Sequence, residues 1–144
     1  MAVVLKGLVV DFGGVLTDRG GASSGRPPLV DAVLAARAAG IRTALLSNAD
    51  GPGAPVPWLD ELFDVVVFSG EVGIAKPDVA VYQLTVRRLG LPPEQCVFVD
   101  DLLGNVRGAV AAGLVGVHHT AVATTLAELR VLLGLVTLGG EDFA

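Results

Sequence analysis

Five short apolar runs recur along this chain, at residues 5–10, 41–46, 65–68, 96–99 and 114–117. Each is rich in Val, Ile and Leu, and alternation of apolar with polar residues is weak. Strands with one wet face alternate. Near-continuous apolar runs belong to strands buried on both faces of a parallel sheet. Between the runs lie helical stretches at 29–39, 78–89, 103–112 and 124–133. Gly40, Gly90, Gly113 and Gly134 end them, and Pro77 opens the second. Strands alternating with helices predict right-handed crossovers. The fold class expected is α/β, a doubly wound three-layer sandwich on a mostly parallel five-stranded sheet.

Such sheets bind ligands beyond the carboxyl ends of their strands, beside the topological switch point. The residues just after each run are therefore the candidates. They are Asp11, the pair Ser47-Asn48, the loop 69–76 ending in Lys76, and the pair Asp100-Asp101. Asp11 stands out because it ends the run Leu8-Val9-Val10 and opens at once into Phe12-Gly13-Gly14-Val15. A charge at the end of a buried strand is costly unless it is paired. Alone it could be a turn residue. Asn48 alone reads as a turn residue too, Lys76 as a solvated lysine, and Asp100-Asp101 as caps for the following helix. Their joint placement after successive strands is more specific. Asp11, Asp100 and Asp101 supply hard oxygen ligands of the kind that suits Mg²⁺. Ser47 and Asn48 supply small donors, and Lys76 a positive charge. Carboxylates for a divalent metal, donors for anionic oxygens and one lysine together describe a phosphate site.

Bulk properties narrow the field. At 144 residues the chain is sized for one domain spanning 1–144, with residues 137–144 expected to fray. Hydrophobic residues make up 52%, yet no run approaches the roughly 18 residues of a membrane span. No secretory leader pattern is seen at the N-terminus, so a cytoplasmic location is expected. The net charge of −5 and the lack of a basic stripe argue against nucleic acid as a partner. Cys96 is the single cysteine and sits in an apolar run, where an inert buried thiol is expected.

The motifs Asp11-Phe12-Gly13-Gly14-Val15-Leu16-Thr17-Asp18, Leu46-Ser47-Asn48, Lys76-Pro77-Asp78 and Phe98-Val99-Asp100-Asp101 resemble, in order, the four motifs of the haloacid dehalogenase (HAD) superfamily. The resemblance runs to about Gly116 and includes the stretch from Asn105 to Gly113. It implies that Asp11 attacks phosphorus and becomes an aspartyl-phosphate. Ser47 would bond the transferring group, with Asn48 shaping the pocket. Lys76 would neutralise charge on both nucleophile and phosphoryl group. Asp11, Asp101, Asp100 and the backbone carbonyl of Gly13 would hold Mg²⁺. The expected partner is a phosphorylated small molecule or macromolecule.

Two departures from the family pattern bear on activity. Phosphatases of this family usually carry a second aspartate two positions after the nucleophile, where this chain has Gly13. General acid–base help is worth about 10²–10⁴-fold. Its loss points to a substrate with a good leaving group, to a substitute such as Asp18, or to a weakly active or inactive binding module. The second departure is the missing cap domain, for which neither interval between the motifs has room. The site is then open, covered by a large substrate or by a second copy of the chain, with only the loop 20–28 as a local flap. The dehalogenase branch lacks the second aspartate too, but its substrate pocket lies largely in a cap, and the Asp100-Asp101 pair argues against it. His118-His119 read as an edge-strand or surface pair, and Trp58 as packing a short helix onto the sheet.

Overall fold

The structure, a computed structural model, describes residues 4–51 and 59–135. Trp58 and the segment 137–144 lie outside them. Five strands form one sheet: β1 (Gly7–Val10), β2 (Arg42–Ser47), β3 (Val65–Phe68), β4 (Cys96–Asp100) and β5 (Val115–His118). Their order is β3-β2-β1-β4-β5, and every pairing is parallel. The helices are α1 (Pro28–Ala38), α2 (Leu59–Leu62), α3 (Ser69–Val72), α4 (Val79–Leu89), α5 (Leu103–Ala111) and α6 (Val122–Leu133). The doubly wound α/β sandwich is thus as expected, with boundaries displaced by a residue or two. Pro77 falls outside α4, because Asp78 is the cap and its side chain accepts the Ala80 N–H at 2.9 Å.

The weak alternation of the strands follows from their position. In β1, Leu8 and Val10 enter one apolar layer with α1 and α6, while Val9 enters the other with α4 and α5. In β4, Val97 and Val99 face the first layer, and Cys96 and Phe98 the second. Both pleat faces are dry, so both sets of residues must be apolar. Cys96 is fully buried, and burial pushes its thiol up to about 11, with Glu94 adding to the effect. Among the described residues, no helix is long and apolar enough to cross a membrane.

One contact sets how α5 sits against α4. A Cβ on Gly108 would lie 2.6 Å from the Pro77 carbonyl oxygen and 3.0 Å from the Tyr82 ring. Tyr82 in turn stands edge-on to Phe98 at 5.3 Å and donates to the Asn105 carbonyl at 2.6 Å. A glycine inside an exposed helix is normally improved by alanine by about 1 kcal/mol. Here Gly108→Ala is expected to destabilise by about 1–3 kcal/mol, the range for overpacking a close contact. The midpoint of urea unfolding measures the sign.

Candidate active site

β1 lies between β2 and β4, and the chain winds away from it in both directions. The switch point is therefore the crevice between β1 and β4. Val10 pairs with Val99, and the Asp11 N–H donates to the Val99 carbonyl at 3.1 Å. Asp11 and Asp100 consequently leave the sheet side by side. Ser47 ends β2 on the other flank of β1. The turn after α3 brings in Lys76. A pocket of about 280 Å³ results, lined by Asp11, Gly13, Ser47, Asn48, Lys76 and Asp101 together with Leu102 and Asn105. Asp100 lies beneath it with no exposed surface.

The Lys76 ammonium is the hub of this pocket. It donates to Asp11 Oδ1 at 2.8 Å, to Asp100 Oδ2 at 2.9 Å and to the Leu46 carbonyl at 3.0 Å. Three hydrogens meet three acceptors. Its side chain is 1% exposed and lies 5.4 Å above the centre of the Phe98 ring. Lys76 is therefore no solvated surface lysine. Its own backbone is held by Asn48, whose amide accepts the Lys76 N–H at 2.9 Å and donates to the Lys76 carbonyl at 3.0 Å. Asn48 thus shapes the pocket by fixing the lysine loop to the end of β2.

The carboxylates differ in their surroundings. Burial raises Asp11 above the ordinary range, although Lys76 opposes this. Burial works against Asp100 too, but the Leu102 N–H, Lys76 and the Asn105 amide outweigh it and hold its carboxyl low. Asp100 Oδ1 accepts Leu102 N–H at 2.9 Å, and Oδ2 accepts Asn105 Nδ2 at 3.0 Å besides the lysine. Asp101 is pushed up, first by burial and then by neighbouring Asp100. Oxygens of Asp11, Asp100 and Asp101 lie within 4.8 Å of one another. One ammonium does not balance three carboxylates, and an all-oxygen set of this size suits a hard divalent cation.

The turn between Phe12 and Leu16 is shaped to let Asp101 in. Gly14 has φ +81°, and a Cβ there would lie 2.3 Å from Asp101 Oδ2. Its N–H donates to Thr17 Oγ1 at 2.9 Å. Gly13 differs, with φ −69° and ψ 131° and open space where a Cβ would stand.

Three side chains near the site were not legible as participants. Asn105 is a buried amide on the inner face of α5, beside Val106 and Ala109, and a polar residue on that apolar face was the available signal. The other two are the histidines. His118 is exposed at the end of edge strand β5, yet its Nε2 meets the Asp101 carbonyl at 3.0 Å. His119 is not a surface residue. Its side chain is 2% exposed, with Nε2 2.7 Å from Asp18 and Nδ1 2.7 Å from Thr125 Oγ1. Its N–H donates to the Asp100 carbonyl at 2.9 Å. Asp18 is thereby committed, since it also accepts the Gly20 N–H at 2.8 Å. The Gly20 N–H and the His119 ring hold its carboxyl below the ordinary range. An aspartate kept ionised and outside the pocket lining is poorly placed to replace the missing acid.

These features can be set beside known proteins. A family model for haloacid dehalogenase-like hydrolases matches residues 5–113, and the chain belongs to that family. An uncharacterized protein from Corynebacterium glutamicum is 36% identical and superposes with a TM-score of 0.82, covering 96% of this chain and 99% of that one. Protein CbbY of Cereibacter sphaeroides is 34% identical over 99 residues, 62% of this chain and 42% of its own length. A structure of CbbY from Rhodobacter sphaeroides in complex with phosphate, 34% identical, gives a TM-score of 0.54 over 63% of this chain and 44% of that one. Mouse acyl-CoA dehydrogenase family member 10 is 36% identical over 111 residues, 75% of this chain and 10% of its own length. The chain thus spans less than half the length of these curated relatives.

Removing the hub should unfold more than it opens. Lys76→Met strands the buried Asp100 and the partly buried Asp11 and is expected to cost about 3–5 kcal/mol, the range for breaking a buried pair from one side. Chemical denaturation measures this. His119→Ala leaves the Thr125 hydroxyl buried without its ring partner and is expected to cost about 1–3 kcal/mol. A denaturation midpoint equal to that of the parent protein would contradict this.

Proposed function

We propose that this domain is a phosphohydrolase that acts through an aspartyl-phosphate on Asp11. The observation that carries the reading is the set of opposed charges around one small pocket. Asp11 and Asp100 flank Lys76, with Asp101 and Ser47 at the walls. Relatives named as phosphatases, among them a phosphoserine phosphatase of Thermus thermophilus, and a CbbY structure holding phosphate support the same direction.

In this reading an Asp11 oxygen attacks phosphorus, and the bond to the leaving oxygen breaks with its electron pair going to that oxygen. Water then attacks the same phosphorus, releasing inorganic phosphate and restoring the carboxylate. Lys76 opposes the upward push of burial on Asp11 and aims one carboxylate oxygen. Because its three hydrogens already have acceptors, it acts on the phosphoryl group as a nearby charge. Ser47 donates to a phosphoryl oxygen. The residues present fit Mg²⁺: Asp11, Asp101 and the Gly13 carbonyl would hold it. Asp100 already accepts three hydrogen bonds and has room for about one more. When bound, the ion supplies positive charge to the phosphoryl oxygens. Catalysis then rests on position and electrostatics.

No acid stands at Gly13, so the leaving oxygen must depart as an anion or take its proton from water. That favours aryl and acyl phosphates over alkyl phosphates. No inserted domain is evident among the described residues between the motifs, so the mouth is open. A second copy of the chain is the proposed cover.

Turnover of phenyl phosphate and acetyl phosphate with Mg²⁺ tests the assignment. Asp11→Asn is expected to abolish it, and chelation to remove it reversibly. Turnover surviving Asp11→Asn would overturn the mechanism. Absent turnover, with Mg²⁺ binding intact, would instead favour a phosphate- or metal-binding module. Gly13→Asp fits the open space at that position. It is expected to raise kcat on alkyl phosphates at least tenfold, toward the range of general acid catalysis.

A further inference from the structure

We propose that the organic group of the substrate is an aromatic ring system, seated in the cleft on the far side of Phe12. This rests on the phosphohydrolase reading and names its substrate class. The cleft has a volume of about 500 Å³. Leu16, Val30, Leu34, Leu62 and Phe12 line it together with Arg19 and Arg26, whose guanidiniums also bond the Gly25 carbonyl and Asp31 respectively. Ligand sites are typically about 300–1,000 Å³, mostly apolar, with few polar groups. Thr17 and Glu61 line the cleft as well, but the wall is mainly aliphatic, so a sugar or polyol would set most of its hydroxyls against carbon. A flat apolar ring would not, and guanidinium planes stack favourably on aromatic faces.

The cleft and the acidic pocket are separate cavities, with a third cavity that shares one wall residue with each. Phe12 follows the nucleophile in sequence and lines both the cleft and a smaller cavity of about 150 Å³. Ser47 lines that smaller cavity and the acidic pocket alike. A second, independent argument admits this class and excludes alkyl phosphates. With glycine at position 13, the reaction needs a leaving oxygen that is stable as an anion. A phenolate meets this need, and an alkoxide does not.

The experiment compares 2-naphthyl, phenyl and acetyl phosphates, with a separate binding measurement. The wild-type kcat/KM for 2-naphthyl phosphate is expected to exceed that for phenyl phosphate at least fivefold. Leu34→Trp, which fills the cleft from α1, should bring that ratio near one and leave acetyl phosphate within twofold. Val30→Phe serves if Leu34→Trp does not fold. Leu102→Gln tests the alternative seat, since Leu102 lines the acidic pocket itself and is 60% exposed. Selectivity that follows Leu102 and ignores Leu34 would overturn the proposal. Calorimetric titration with 2-naphthoate, which carries no phosphate, separates the two levels of inference. Binding that weakens at least tenfold in Leu34→Trp, without hydrolysis of any phosphate, sustains the cleft and removes the phosphohydrolase reading. Hydrolysis with no naphthyl preference and no naphthoate binding does the reverse. Failure of both measurements removes both readings.

Discussion

A buried ammonium between two carboxylates organises this domain. Lys76 reaches Asp11 just past β1, Asp100 on β4 and the Leu46 carbonyl on β2 at once, so one cation ties together the ends of three adjacent strands. Taking any of these charges out of water costs several kcal/mol. The arrangement is tolerable because all three lysine hydrogens have acceptors and Asp100 has further donors in Leu102 and Asn105. Its geometry is inherited from elsewhere. Asn48 fixes the lysine backbone, and the β1–β4 register fixes the carboxylates. The charges therefore sit where the sheet puts them, and the sheet ends are held in turn by the charges.

Around this hub the site is braced from the side and left open above. The Phe12–Leu16 turn is drawn against Asp101 through Gly14, and Thr17 closes it. Beyond it, Asp18 is pinned by His119, which also bonds Thr125 and, through its N–H, the Asp100 carbonyl. The loop after the nucleophile and the loop after β5 are thus linked by buried polar contacts. A pocket supported in this way can stay aligned without a lid, because its walls are fixed by the strands and by one another. The proposed aryl specificity would then come from the cleft beside Phe12 and from the leaving group, in place of a closing domain.

Much of this was legible in the residues. Dry runs such as Cys96-Val97-Phe98-Val99 marked strands covered on both faces. Charges stranded just past those runs, Asp11, Lys76, Asp100 and Asp101, marked the site, because a buried charge needs a partner. His118 is at the exposed sheet edge as expected, but His119 was misjudged for the physical reason that makes edge strands hard to read. β5 is at the sheet edge, and whether a residue just past it turns in or out depends on the loop that α6 closes over it. Asp18 illustrates a related limit. A carboxylate next to a catalytic turn looks like an available acid until its partner, 101 positions away in sequence, is seen to occupy it.

The amino-acid sequence by itself determined the alternation of strand and helix, the family and the identity of the charged groups, since these depend on local pattern and on residue type. Tertiary structure alone decided the strand order that puts β1 beside β4, the three-way bonding of Lys76, the commitment of Asp18 to His119 and the cleft behind Phe12. Each of these joins residues far apart in the chain. Their distances are set by how the layers pack, and short-range pattern carries no record of that packing.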